Sequence, residues 1–266
     1  MLVEILQIYI YNINEVNMLK EERQNKIIKL LSKDHKVISS DLKELFNVSE
    51  DTIRRDLSEL EDQGKLKRVH KGALRIGPAI TDFEYRTNID IEEKQDLALK
   101  ALPFLREDTL ILVDGGTTNH RLVSNLPIDF RCDIVTNSFP IAHALNGHKN
   151  IKVRVLGGNY DKRTMNNFGY QTIRELEYFK PDLYVMGVHN INIEDGATIN
   201  TYEESEVKRK MSEISDSILC MVLESKLETL SSFKHTDLDK IQYLITSSKN
   251  KELINNYCRY IDTVIN

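Results

Sequence analysis

Two rhythms of apolar residues divide this chain. Up to about residue 76 apolar side chains recur at three- and four-residue steps; from about residue 91 they come in short unbroken runs between amphipathic stretches. In the first part, residues 23–31 (RQNKIIKLL) and 38–46 carry helical spacing, and a third helix starts at Val48-Ser49. Ser49 is a good N-cap, and Glu50 and Asp51 suit the positive end of the helix dipole. Ile53, Leu57 and Leu60 then form one buried stripe. At about 100° per residue Arg55 points almost directly away from that stripe, flanked by Thr52, Arg54 and Ser58. Asn47-Val48 supplies the tight turn before this helix and Gly64 its C-cap. Residues 65–70 and 71–76 read as a basic two-stranded wing.

Three helices and a basic hairpin predict a winged helix-turn-helix. A short helix with a polar first turn, two exposed arginines and an apolar back is what a DNA major groove accepts. The candidate DNA contacts are Ser49, Asp51, Thr52, Arg54, Arg55 and Ser58 on the helix and Lys67, Arg68, His70 and Lys71 in the wing.

Residues 77–90 are expected as a linker. Gly77-Pro78 breaks the wing strand, and Phe83 and Tyr85 are expected to dock on one of the domains. From residue 91 to 266 the alternation of apolar runs with helix-like stretches predicts an α/β domain with a mostly parallel sheet. Helix-like residues 92–105 lead to a strand at 109–113 that ends in Asp114-Gly115-Gly116-Thr117-Thr118, with a helix at 119–126 behind it. Residues 133–138 end in Thr136-Asn137-Ser138 ahead of a helix at 140–145, and residues 151–156 end in Gly157-Gly158. Residues 182–186 end in Gly187, and 217–223 in Glu224-Ser225-Lys226. In such sheets ligands bind at the carboxyl ends of the strands, where open backbone N–H groups at helix starts favour anions, phosphate included. Gly115-Gly116 allows close approach, Thr117, Thr118 and Ser138 offer hydroxyls, and Lys226 offers a positive charge.

Charge follows the same division. Residues 18–76 hold 14 Lys+Arg against 11 Asp+Glu, a net +3, and the remainder carries −8 of the total −5. So modest an excess makes DNA affinity depend on the placement of single basic residues and on more than one copy of the domain. Cys132, Cys220 and Cys258 are far apart and form no C-x-x-C pair, so they read as reduced, buried thiols of a cytoplasmic protein. The seven histidines show no ligand spacing, so no metal is expected. Residues 1–11 are apolar but too short to span a bilayer, contain Glu4 and lack a basic leader region; no membrane association is expected. Residues 1–17 are either an added arm or the product of a mis-assigned start at a chain that begins with Met18.

Residues 18–76 resemble the N-terminal domain of the DeoR family of bacterial transcriptional regulators. The resemblance rests on Glu22-Arg23-Gln24, Val48-Ser49, Thr52-Ile53-Arg54-Arg55-Asp56-Leu57, Leu60-Glu61, Gly64 and Arg68-Val69-His70. Lys71 stands where the family has a first glycine after that histidine, which stiffens the wing tip. Most of residues 77–250 resemble the family's sensor domain, whose fold is shared with sugar-phosphate isomerases and CoA transferases. The matching positions are Asp114, Gly116, Thr117, Thr118, Thr136, Asn137, Ser138, Gly157, Gly158, Thr164, Gly169, Gly187, Gly196, Glu204, Lys208, Ser225 and Lys226.

The resemblance implies a repressor of a carbohydrate-metabolism operon, acting as a homodimer or tetramer on double-stranded operator DNA. It would be released by a phosphorylated sugar and need no cofactor. Leu223 replaces a family aspartate, Val188 and His189 replace small and polar or acidic residues, and Thr246-Ser247 replaces Thr-Asp. Either the effector differs from the common ones, or Glu224 and His189 take over those roles, or the pocket has lost its ligand. The competing reading is an isomerase-like enzyme carrying a DNA-binding appendage, with Asp114 or Glu224 as base; the missing acid at Leu223 argues against it.

Overall fold

The computed structural model describes residues 18–78 and 81–266; the expectation for residues 1–17 lies outside the described residues. The chain divides into two compact units at Ile76 and Gly77. The first contains α1 (Lys20–Asp34), β1 (Lys36–Ile38), α2 (Ser39–Phe46), α3 (Glu50–Asp62), β2 (Lys67–Val69) and β3 (Gly72–Leu74). Ser49 caps α3 through its hydroxyl, which accepts the Thr52 N–H at 3.1 Å. Asn47 takes up the left-handed conformation (φ 49°) that joins α2 to α3, a conformation Asn tolerates better than most residues. The stripes expected from the sequence meet in one core of Ile27, Leu31, Leu42, Ile53, Leu57, Leu60 and Leu66.

Polar groups lock the same helices. Arg23 Nε donates to Asp56 Oδ2 at 2.5 Å with both side chains buried, and Gln24 donates to Glu59 at 3.0 Å. The Arg23-Gln24 and Asp56 motif residues therefore join α1 to the back of α3. The wing is larger than its sequence implied. Antiparallel β2 and β3 form the expected hairpin, and β1 adds a third strand in the order β1-β3-β2.

The second unit begins with α4 (Phe83–Thr87) and α5 (Ile91–Ala101). It continues through β4 (Leu110–Val113), α6 (Thr117–Ser124), β5 (Cys132–Thr136), α7 (Phe139–Ala144) and β6 (Ile151–Val155). Next come β7 (Asn159–Asp161), β8 (Asn166–Phe168), α8 (Tyr170–Leu176), β9 (Leu183–Met186), β10 (Asn190–Asn192) and β11 (Gly196–Ile199). It closes with α9 (Tyr202–Ile214), β12 (Ile218–Val222), β13 (Phe233–Thr236), β14 (Tyr243–Thr246), α10 (Lys251–Tyr257) and β15 (Thr263–Ile265). Seven strands form a wholly parallel sheet in the order β15-β14-β12-β9-β4-β5-β6. This is the α/β class expected from the alternating runs. Both faces of the central strands are covered, which explains why they read as unbroken apolar runs. Leu112, Tyr184, Met186 and Cys220 pack on one face; Ile111, Val113, Val185 and Leu219 pack on the other. Strand β6 closes one edge and buries only Ile151. A small antiparallel sheet, β10-β11-β13, and the hairpin β7-β8 complete the unit.

The segment expected as a linker carries α4 and is no loose tether where it is described. Residues 81–90 fold within the second unit, where the Phe83 N–H donates to the Arg163 carbonyl at 2.8 Å and the Phe83 ring meets His120 edge-on at 5.8 Å. Phe83 is buried as its aromatic character implied, whereas Tyr85 is exposed. Cys132 and Cys220 are buried free thiols; Cys258, at the end of α10, is exposed and corrects the expectation of three buried ones. No helix among the described residues is long and apolar enough to cross a membrane.

Candidate functional site

On the first unit, α3 presents Arg54 and Arg55 with their side chains 73% and 79% exposed. Both lean on Asp51, at 3.5 and 3.1 Å, so Asp51 pre-orients the two guanidinium groups. The Thr52 hydroxyl lies 2.8 Å from that of Ser49. The wing is fastened to the same helix: Arg68 Nη1 donates to Ser58 Oγ at 3.2 Å, the Arg68 N–H donates to Glu61 at 3.0 Å, and Lys67 lies 3.7 Å from Glu61. Arg54, Arg68, His70 and Lys71 line one concavity with Ser39 and Ser40 from the start of α2. Basic groups of helix and wing thus share one face.

On the second unit, a cavity opens at the carboxyl ends of three adjacent strands, β12, β9 and β4. Strand β4 is followed by Gly115, Gly116 and, at the start of α6, Thr117 and Thr118; β9 is followed by Gly187, Val188 and His189, and β12 by Leu223, Ser225 and Lys226. Gly116 adopts φ 152° with open space where a Cβ would stand, and no side chain caps α6, so the first N–H groups of that helix are left to the cavity. Glu204 and Lys208 project from α9, Arg86 follows from α4 and Lys94 from α5. Thr164 and Asn166 come from the β7-β8 hairpin; the buried Asn166 Oδ1 has no hydrogen-bond partner.

Charge in this cavity is unevenly balanced. Asp114 is fully buried beneath it. Its Oδ1 accepts the Gly115 N–H at 2.7 Å, and its Oδ2 takes Lys208 Nζ together with the Tyr184 hydroxyl and Gly187 N–H, each at 3.3 Å. Glu204 lies 3.7 Å from the same ammonium group. Burial pushes Glu204 up despite Lys208; at Lys208 burial opposes the charge, but the two carboxylates outweigh it and hold the pKa raised. Among the described residues Lys94 and Lys226 have no carboxylate at ion-pair distance, and only Asp90 acts favourably on both from further off. Lys94 Nζ donates to the Arg86 and Ile89 carbonyls at 2.5 and 2.6 Å, and Lys226 Nζ to the Val188 carbonyl at 2.6 Å. Burial pushes Lys226 down to about 7, helped by Arg86, Lys94 and Lys208. Burial and the surrounding cations push His189 down to about 3, so its imidazole is neutral.

A family model described as the DeoR C terminal sensor domain matches residues 89–248, and one described as a DeoR-like helix-turn-helix domain matches residues 23–78. The chain belongs to the DeoR family. It is similar to the HTH-type transcriptional regulator GolR of Listeria innocua, 31% identical over 89% of this chain and 94% of that protein. It is similar also to the HTH-type transcriptional repressor GlcR of Bacillus subtilis, 30% identical over 86% and 89%. Among solved structures, ribose 5 phosphate isomerase A from Neisseria gonorrhoeae covers 52% of this chain and 54% of its own at 18% identity, with a TM-score of 0.39. This DeoR protein is a transcriptional regulator and not an enzyme.

The effector positions implied by the DeoR resemblance separate into two groups. Gly116, Thr117, Thr118, Gly187, Glu204, Lys208 and Lys226 line the cavity, and Asp114 braces it from below. Thr136, Asn137, Ser138, Gly157 and Gly158 do not line it. They stand at the ends of β5 and β6, on the edge side of the sheet, and hold the hairpin and α8. Asn137 Nδ2 donates to the Asn167 carbonyl at 3.1 Å, and the Thr136 hydroxyl accepts the Ser138 N–H at 3.0 Å. Ser138 bridges to Asn166, which does reach the cavity. A Cβ at Gly158 (φ 143°) would stand 2.2 Å from the Thr172 hydroxyl and 2.5 Å from the Phe168 carbonyl, so that glycine serves close packing.

The sequence reading missed Arg86, Lys94, Asn119 and Asn166. Lys94 had a signal: it lies on the buried stripe of α5 with Leu97, Ala98 and Ala101. A lysine at a core position of an amphipathic helix requires an acceptor or an anion. Asn119 also lines the cavity, but its amide donates to the Asp114 and Val185 carbonyls and so fixes the start of α6.

Proposed function

We propose that the protein is a repressor of a carbohydrate-metabolism operon and binds double-stranded operator DNA in the cytoplasm as a homodimer or tetramer. A phosphorylated sugar in the sensor cavity releases it. The observation that carries the reading is the pairing of two ammonium groups without carboxylate partners, Lys94 and Lys226, with the uncapped start of α6 in one cavity. Ammonium groups met by carbonyl oxygens alone and open backbone donors at a helix start together favour a phosphate. Neutral His189 and the free Asn166 oxygen supply polar partners for hydroxyls. Ser49, Asp51, Thr52, Arg54, Arg55, Ser58, Lys67, Arg68, His70 and Lys71 form the DNA face, with Asp51 and Ser58 holding arginines in place. A single reading helix contacts few base pairs, so two copies on two half-sites are required.

Release follows if the liganded form favours a spacing of the two reading helices that no longer fits the half-sites. The test is fluorescence anisotropy on DNA from upstream of the protein's own transcription unit, repeated with a panel of sugar phosphates. Sequence-selective binding reversed by a member of the panel is expected. Binding strengthened by the sugar phosphate would make the protein an activator, and binding insensitive to the whole panel would remove the effector reading.

A further inference from the structure

The first turn of α4, the helix that carries Arg86, is joined by its backbone to Arg163 in the turn between β7 and β8. Arg163 is fixed by Asp161 Oδ1, which accepts its N–H at 2.8 Å, and its carbonyl accepts the N–H of Phe83 at the start of α4, also at 2.8 Å. Arg86 lines the sensor cavity, as does Thr164 next to Arg163. Each arginine buries its Nε with no hydrogen-bond partner. Among the described residues neither guanidinium group makes a side-chain hydrogen bond or meets a carboxylate at ion-pair distance. The two lie within electrostatic reach of one another and of His189 in the cavity wall. Buried N–H groups without acceptors are unfavourable, and the two neighbouring like charges add to that, although Glu204 and Asp82 lie within electrostatic reach of Arg86.

One phosphate does not account for so many donors. Its three terminal oxygens are met by the first N–H groups of α6 and by Lys226. Two guanidinium groups add forked donors of the geometry that suits a second phosphate or a carboxylate. Part of the remaining wall is apolar, with Val188, Ile199, Met221 and Leu223, and offers few acceptors for sugar hydroxyls.

We infer that Arg86 and Arg163 form a second anion subsite of the sensor cavity, so that its ligand is doubly anionic: a sugar bisphosphate or a phosphorylated sugar acid. The inference rests on the sugar-phosphate reading of this cavity and narrows it.

The test is calorimetric titration of the full-length protein with matched pairs, fructose 6-phosphate against fructose 1,6-bisphosphate and glucose 6-phosphate against 6-phosphogluconate. In at least one pair the doubly anionic member binds about tenfold tighter or more, the scale of one charge-assisted pair. Arg163→Gln and Arg86→Gln bring that ratio close to one. Arg163→Lys, which keeps the charge and loses the fork, retains part of it. Operator affinity without ligand stays unchanged in Arg163→Gln, which checks that the variant is folded. Equal affinities within both pairs, or a preference that survives both glutamine variants, would overturn the second subsite and leave the sugar-phosphate reading standing. No binding of any of these compounds to the unaltered protein would overturn both.

Discussion

At Lys226 an ammonium group trades water for one carbonyl, that of Val188, among Arg86, Lys94, Lys208 and Asp90, and its pKa falls to about 7. Neutral His189 adds no charge at this pH, and Glu204 is engaged by Lys208. On the sugar-phosphate reading, a phosphate bound there would hold the proton on Lys226. Effector affinity is therefore expected to fall as pH rises above about 7, with uptake of a proton on binding. The second ionisation of phosphate, near about 6, is complete there and does not mask the trend. For the unliganded protein the sign is reversed. The folded pKa lies below the ordinary 10.5, so this group adds stability as pH rises from about 7 toward that value. Calorimetry in buffers of different ionisation enthalpy reads the proton count; affinity flat across this range would remove Lys226 from the site. Lys226→Met is expected to abolish the effector response and leave operator binding intact. On the other unit, Arg55→Ala is expected to weaken specific DNA binding by roughly 1–3 kcal/mol, the worth of one base-edge contact. An unchanged operator affinity in anisotropy would place Arg55 outside the interface.

Between elements, the contacts that matter are often not at the sites they support. The Arg23–Asp56 pair joins α1 to the reading helix from behind. Asp56→Ala leaves a buried guanidinium without its carboxylate and is expected to destabilise the first unit by about 3–5 kcal/mol. Urea unfolding followed by circular dichroism checks this, and a loss below 1 kcal/mol, on the order of a surface pair, would show the bridge to be dispensable. Asn137 is expected to influence the effector without touching it. Its bond to Asn167 holds the hairpin whose Asn166 faces the cavity. Asn137→Ala should raise the effector concentration needed for release while leaving operator affinity unchanged.

The same distinction explains what was legible in the sequence. The α3 stripe, its Ser49 cap and the central parallel strands have strong periods and appear where the pattern placed them. Strand β1 is only three residues long, and β8 is Asn-Asn-Phe, so neither carries a period to detect. Strand ends β5 and β6 share the grammar of β4, β9 and β12, and only the strand order shows that they lie outside the cavity. Arg86 was hidden in a segment whose mixed charges and aromatics read as a linker.

For the molecule as a whole, the slight positive charge of the DNA-binding unit leaves affinity to a few placed groups. Lys71, exposed on the wing beside Arg54 and His70, is one. Lys71→Ala is expected to weaken binding to all sequences alike and to lower the slope of log affinity against log salt by about 1. Anisotropy titrations across a salt series would show this; loss confined to the operator would make Lys71 a base-reading residue instead. The sensor unit has its own economy of charge. Lys208 engages both buried acids of the cavity, Asp114 and Glu204, and every oxygen of Asp114 has a donor. On the sugar-phosphate reading, neither of these two acids is left to draw a proton from a sugar carbon, and a bound metabolite would leave as it entered. Such a protein would be a gauge and not a sink: its occupancy would rise and fall with the pool it samples, and the signal would end only when other proteins drain that pool.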